Sequence, residues 1–319
     1  MPTGQSPENA VIRPLRAGDL PAVCDLFEQV FGTARTPVQW SWKYRLETPL
    51  FSTPVGMVAE DDTGRILGHA GAVPLHGWLD GASCRMYQIA DVMVHPRARG
   101  HHARSNLFTR LVRSLLEALA DTPEPVFAYG FPGRRPFLLG ARARVYDRIE
   151  DARTFHRVPR PALLRMGRLL PATWEDPQFD SAWRRLRRHV PLGVARDRNY
   201  LVWRYRDNPF FVYQPWWLVL GGRRRGWMVT RAGAGTLTLM DALFHPFWWK
   251  RALAALDAEA LAMGMDQIEA WWPRTLPLPG NAQVTKTDIV VTHMVWKTFL
   301  TTARVRRTLY YTFGDVDIY

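Results

Sequence analysis

One pattern occurs twice, in order, along this chain. Trp42-Lys43-Tyr44-Arg45 with Pro49 following is matched by Trp203-Arg204-Tyr205-Arg206 with Pro209. Asp91-Val92-Met93-Val94-His95-Pro96 is matched by Asp241-Ala242-Leu243-Phe244-His245-Pro246. Each Asp-to-His-Pro run ends a strand-like stretch that follows a hairpin signal, Asp80-Gly81 in one case and Ala232-Gly233-Ala234-Gly235 in the other. Each is followed by helical spacing: Leu107, Leu111, Leu115 and Leu119 over 102–119, then Leu253, Leu256, Ala260 and Met263 over 247–263. Each helix leads to another strand, PVFAYGF or QIEAWW. Two ordered matches in matching context imply an internal duplication. The chain is therefore expected to fold as two copies of one supersecondary arrangement.

The first copy is the more readable. VIRPLR predicts a strand, and Leu20, Val23, Leu26, Phe27, Val30 and Phe31 predict a helix stopped by Gly32. A short helix is expected from Gln39 to Leu46. GMVAE and RILGHAGAVPLHGWL flank the turn Asp61-Asp62-Thr63-Gly64. The order β-α-α-β-β-β-α-β predicts an α/β layer with a mixed sheet and helices on both faces. With 319 residues, room for about two domains, the expected division is 1–150, a basic crossover over 151–195, and a second domain over 196–319.

Charge narrows the partners. The formal net charge is +13, and all but four of the 42 basic residues are arginine. Arginine's fixed fork of donors suits phosphate and carboxylate, so anionic ligands such as CoA, nucleotide-linked substrates or RNA are favoured. Cys24 and Cys84 provide neither a disulfide framework nor metal-ligand spacing. The N-terminus has no basic start leading into an apolar run, and no stretch reaches 18 apolar residues. The reading is a soluble, cytoplasmic protein without stable membrane insertion.

The chemistry concentrates after Pro96. Arg97-Ala98-Arg99-Gly100-His101-His102-Ala103-Arg104 forms a basic, glycine-containing turn between a strand and a helix. Unpaired N–H groups at a helix start and the helix dipole favour an anion there. Arg97, Arg99 and Arg104 suit a pyrophosphate. The stretch VMVHPRARGHHARSNLF resembles the acetyl-CoA pyrophosphate loop of GNAT (Gcn5-related N-acetyltransferase) acyltransferases, with Val94, Pro96, Arg99, Gly100 and Leu107 at the matching positions. His102 and Arg104 depart from the pattern, which prefers glycine or alanine there. IRPLRAGDLPAVCDLFEQVFG resembles the family's opening strand and helix. Gly130-Phe131-Pro132, Leu139-Gly140, Trp203-Arg204-Tyr205 and Phe313-Gly314-Asp315-Val316-Asp317 resemble segments of one bacterial branch.

The resemblance implies two tandem GNAT-like domains, the first binding acetyl-CoA or another acyl-CoA as donor. It implies that backbone groups of Asp91 to Val94, Met93 and Val94 among them, pair with the pantetheine arm. It further implies that Arg99, Gly100, His101, His102, Ala103 and Arg104 cradle the phosphates. The implied reaction is amine attack on the thioester, giving an acylated small or glycan-type amine. Tyr129 stands where a family acid lies, and is equally a strand tyrosine facing the core. Asp91 is a candidate base, and its recurrence at Asp241 favours a structural pairing with the Trp-Lys-Tyr-Arg segment. In the second half, Phe247-Trp248-Trp249 replaces the turn and contains no glycine, so a degenerate domain is expected there. Two further readings stay open: aminoacyl transfer from charged tRNA, as in Fem-type ligases, and a non-catalytic, basic RNA-binding or regulatory protein.

Overall fold

A computed structural model describes residues 10–53, 55–99, 106–161, 167–276, 283–295 and 299–316. In chain order the strands are β1 (Val11–Pro14), β2 (Gly56–Glu60), β3 (Ile66–Leu79), β4 (Ala82–Val94), β5 (Val126–Gly130), β6 (Tyr146–Arg157), β7 (Arg168–Pro171), β8 (Leu192–Val194), β9 (Gln214–Leu220), β10 (Arg223–Gly233), β11 (Thr236–Phe244), β12 (Gln267–Trp271) and β13 (Gln283–Met294). The α-helices are α1 (Leu20–Phe31), α2 (Pro37–Tyr44), α3 (Leu107–Ala120), α4 (Arg134–Arg142), α5 (Gln178–Leu186), α6 (Arg198–Leu201), α7 (Trp249–Ala262) and α8 (Thr302–Thr308). Among the described residues no helix is long and apolar enough to cross a membrane.

The chain forms two compact units, and each is discontinuous in sequence. The first takes residues 1–76, 84–150 and 289–303, and the second takes 77–83, 151–288 and 304–319.

In the first unit the strands run β1-β2-β3-β4-β5, and the end of β13 follows β5. β1 and β2 pair antiparallel, as do β2 and β3. β4 and β5 pair parallel, joined by the α3 crossover. Residues 289–294, distant in sequence, close the row antiparallel to β5 with Thr292 opposite Gly130 and His293 opposite Tyr129. Helix α1 ends at Gly32, whose φ of 73° needs no Cβ. Helix α3 is capped by the Asn106 carboxamide, which accepts from the Thr109 amide at 2.8 Å. Its Leu107, Leu111, Leu115 and Leu119 lie on one buried stripe against Ala70, Ala72, Tyr87, Ile89 and Ala128. Each such leucine contributes about 1.5–3 kcal/mol as an upper estimate.

In the second unit β12, β11, β10, β9 and β7 lie side by side, with residues 154–157 of β6 flanking β12. β10 and β11 form an antiparallel hairpin, and β11 and β12 pair parallel. The order of hairpin, His-Pro turn, helix and parallel strand is that of the first unit. The core is aromatic: Phe179 stacks on Trp217 with ring centroids 4.6 Å apart and meets Trp227 edge-on. Trp272 packs between Phe155 and Trp249.

Candidate functional site

The first unit contains a fork. Parallel pairing of β4 with β5 runs from Arg85 opposite Val126 to Ile89 opposite Gly130. There β5 ends, while β4 continues to Val94. Two residues past the last pair, Asp91 takes a φ of +48°, a left-handed conformation that costs a non-glycine residue about 1 kcal/mol. Beyond it, the His95 amide donates to the Leu67 carbonyl on β3 at 2.8 Å. A Cβ on Gly68 of β3 would lie 3.1 Å from the Met93 carbonyl oxygen. Residues 93 and 95 thus turn their backbone groups toward β3, and strand alternation turns those of Val92 and Val94 toward the open side. The Val94 carbonyl accepts from Arg99 Nε at 3.1 Å. Fork residues Met93 and Val94 are buried, and Arg97 and Arg99 are exposed just past them. Gly100, His101, His102, Ala103 and Arg104 lie outside the described residues.

What holds the fork open is a buried ionic clamp. The Asp91 carboxylate accepts from Lys43 Nζ at 2.8 and 3.0 Å and from the Tyr44 hydroxyl at 2.6 Å. His69 Nδ1 lies 2.8 Å from the Asp91 carbonyl oxygen. Burial pushes the Asp91 carboxyl up, but the Lys43 charge and the bonds from Lys43 and Tyr44 outweigh it, and the acid is held below its ordinary range. Such a carboxylate stays ionised and is a weak base. Burial in turn keeps His69 neutral. The helix that brings Lys43 and Tyr44, α2, starts at a capping box: Thr36 Oγ1 accepts from the Gln39 amide and Gln39 Oε1 accepts from the Thr36 amide. Tyr44 crosses directly over Gly71, where an added Cβ would lie 2.1 Å from the tyrosine oxygen. Gly71→Ala is therefore expected to lower stability by roughly 1–3 kcal/mol, read as a fall in urea midpoint. An unchanged midpoint would show that Tyr44 can leave Asp91 without cost.

The second unit repeats the clamp with different parts. Parallel pairing of β11 with β12 stops at Leu239 opposite Ala270, two residues before Asp241, as β4 pairing stops two residues before Asp91. Tyr205 donates to Asp241 at 3.0 Å, as Tyr44 does to Asp91. The cation is Arg196, whose Nε donates to Asp241 at 2.8 Å and whose Nη2 donates to Asp315. Arg204, the sequence counterpart of Lys43, donates instead to the carbonyls of Gly314 and Val316. Phe313-Gly314-Asp315 thereby gains a physical role: Asp315 pairs Arg196, and Gly314 leaves room for the Tyr205 hydroxyl, which would lie 1.9 Å from a Cβ there. His95 and His245 have one task in common, each accepting the amide of the residue two positions on through Nδ1, at 3.2 and 3.1 Å.

One face of the first unit's sheet carries a polar row that spacing alone did not reveal. Gln88 is opposite Tyr129, and Tyr129 is opposite His293, so all three side chains share a face across β4, β5 and β13. All are buried, with Tyr129 1% and His293 0% exposed. Phe127 stacks on both Tyr129 and His293. His293 Nε2 lies 2.9 Å from Thr302 Oγ1, and Thr302 donates its single hydroxyl proton to Asp147. The hydroxyl must then accept from Nε2–H, which leaves the lone pair of His293 on Nδ1. Nδ1 has no hydrogen-bond partner among the described residues. Burial holds the imidazole below its ordinary pKa, partly opposed by Asp147, so it is a neutral base. The row lies one residue inside the point where β4 and β5 part. Tyr129 is a candidate from the sequence, whereas no local pattern marks His293, whose neighbour lies more than 160 positions away.

Residues 11–147 match the family described as acetyltransferase (GNAT) domain. No curated protein sequence matches the chain. Among solved structures, a probable N-acyltransferase from Enterococcus faecalis shares 16% identity with a TM-score of 0.68, covering 89% of this chain and 72% of that one. A GCN5-related N-acetyltransferase from Anabaena variabilis shares 13% identity with a TM-score of 0.66, over 89% of this chain and 72% of that one. One from Sphaerobacter thermophilus shares 15% identity with a TM-score of 0.58, over 93% and 99% of the two chains. At these identities the likeness is one of fold, and it extends over both units.

Proposed function

Since the chain belongs to the GNAT superfamily through residues 11–147, and so to the acyltransferases, we propose that it moves an acyl group, acetyl in the simplest case, from CoA to an amine on a small or glycan-type acceptor. The observation that carries this reading is the fork. A strand that outruns its neighbour by several residues offers unused backbone groups for an extended arm to pair with. Val92 and the Val94 amide supply them here, the Val94 carbonyl being taken by Arg99, and the exposed Arg97 and Arg99 would face the phosphates of such an arm. Acyl-CoA as donor supplies the activated thioester carbonyl. The amine nitrogen bonds to the acyl carbon and the carbon–sulfur bond breaks. The chain's part is to manage protons: His293 Nδ1 accepts the one released by the attacking amine, and the Tyr129 hydroxyl supplies one to the leaving sulfur. Asp91 keeps the strand in its left-handed turn through Lys43 and Tyr44, a positioning role. The second unit is proposed as a degenerate copy, because Phe247 and Trp248 fill the turn where the first unit has small and basic residues.

Acetyl-CoA should raise the melting temperature by mass action. Arg99→Ala should weaken that effect by about 1.5–3 kcal/mol, the worth of one charge-assisted contact. Isothermal titration should give a single CoA site per chain. No shift with any acyl-CoA at millimolar concentration, or two equal sites, would overturn the reading.

A further inference from the structure

The second unit carries a trough whose chemistry the acyl-transfer reading leaves unused. Two grooves of about 570 and 420 Å³ share Arg185, Arg223 and Arg224 in their walls. Arg188, Arg225, His245 and Trp248 line the smaller one. Arg224 is engaged by Asp176. Among the described residues no carboxylate lies within ion-pair distance of Arg185, Arg188, Arg223 or Arg225. Four cations gathered without counter-charge repel one another, an arrangement that an anionic ligand relieves.

Guanidinium groups around the trough are also braced, Arg225 of the four among them. Arg224 lies over the Trp217 ring at 4.8 Å, Arg225 over Trp248 at 5.1 Å, and Arg251 over Trp248 at 5.3 Å. Stacking uses the flat face of a guanidinium and leaves its in-plane N–H donors free, so ordering entropy is spent before the ligand arrives. Beside Trp248 the Phe247 ring carries Arg251 5.0 Å from its centroid and is still 61% exposed, which leaves a base a surface on which to stack. Cations along two adjoining grooves suit repeated charges on a strand better than a single phosphate.

We propose that this trough binds the phosphate backbone of an RNA strand, through Arg185, Arg188, Arg223 and Arg225, with Phe247 as the stacking end. The inference does not depend on acyl transfer. The test is fluorescence anisotropy of the full chain with a labelled 12-nucleotide oligouridylate, across a salt series. Four phosphate contacts on a single strand give a log–log salt slope of about −3. Arg188→Glu with Arg223→Glu should weaken binding at least about tenfold and flatten the slope by about 1.4, two contacts' worth. Arg188→Gln with Arg223→Gln, a milder change on exposed side chains, should do the same to a smaller extent at unchanged melting temperature. Phe247→Ala should weaken binding without changing the slope. Absence of binding at 50 mM salt overturns the proposal. So does binding that survives both arginine pairs, or that is lost on Arg97→Glu with Arg99→Glu instead. Trough-dependent binding to vesicles of phosphatidylglycerol and phosphatidylcholine, with none to oligouridylate, would assign the trough to a membrane surface and equally overturn it. The acetyl-CoA melting shift, measured on the same variants, stays intact if the trough is separate, so failure of one reading is distinguishable from failure of the other.

Discussion

Arg196→Met should cost about 3–5 kcal/mol of stability. Arg196 is fully buried, and its guanidinium is the cation shared by Asp241 and Asp315, with Thr312 at the edge of the group. Methionine fills much of the volume but leaves two carboxylates in a dry interior. Either they take up protons, or the surrounding strands open to let water in. The asymmetry within the group sharpens the test. Burial already pushes the Asp241 carboxyl up, and the charge of Asp315 adds to that push, while Arg196 opposes both. Asp241→Asn should therefore cost clearly less than Arg196→Met. Urea unfolding at neutral pH measures both. A loss below about 1 kcal/mol for Arg196→Met would mean that the interior around Asp241 is wetter than its burial indicates.

The second large effect concerns turnover. Tyr129→Phe removes one oxygen from a ring packed on Phe127 and Phe131, so the fold should survive. If the hydroxyl delivers the proton to the leaving sulfur, kcat should fall by about 10²–10⁴ with KM for acyl-CoA little changed. His293→Asn should lower kcat/KM by a similar factor and also change its pH dependence. Burial lowers the His293 pKa, so the free base persists below the ordinary imidazole value of about 6.5. The acid limb of kcat/KM should lie below that value in the native chain and disappear in the asparagine variant. Thr302→Val, which removes the acceptor for Nε2–H, should move the limb without abolishing activity. Tyr129→Phe with more than half of native turnover would end its assignment as the acid.

The repeated motifs were legible because they are written in local runs. Tyr44 and Tyr205 meet Asp91 and Asp241 in the same way, and His95 and His245 cap their turns identically. Hairpins at Asp80-Gly81 and Ala234-Gly235 have the positive φ angles that their sequences call for. The cations were not legible in the same way. Trp-Lys-Tyr-Arg and Trp-Arg-Tyr-Arg suggest equivalent partners for the two aspartates, yet Arg204 turns to the 314–316 backbone and Arg196 takes the place of Lys43. Nothing in the spacing marks Arg196, since the exchange depends on which backbone carbonyls approach in space. His293 was hidden for a related reason. Its strand pairs with β5 across about half of the chain, and pairing at that distance leaves no periodic trace near either partner.

The closing role of residues 289–294 bears on how the chain is made. On a ribosome, β5 emerges more than 150 residues before the strand that covers its far edge. Until then the first unit has an unpaired strand edge along Tyr129 and Gly130, the kind of edge that recruits foreign strands. The polar row has no histidine during that interval, so a nascent first half is immature whatever its helices have achieved. Cutting a gene at the visible repeat boundary near residue 150 would freeze both products in this unfinished state. The first would lack its last strand, and the second would keep a strand with no β5 to cover.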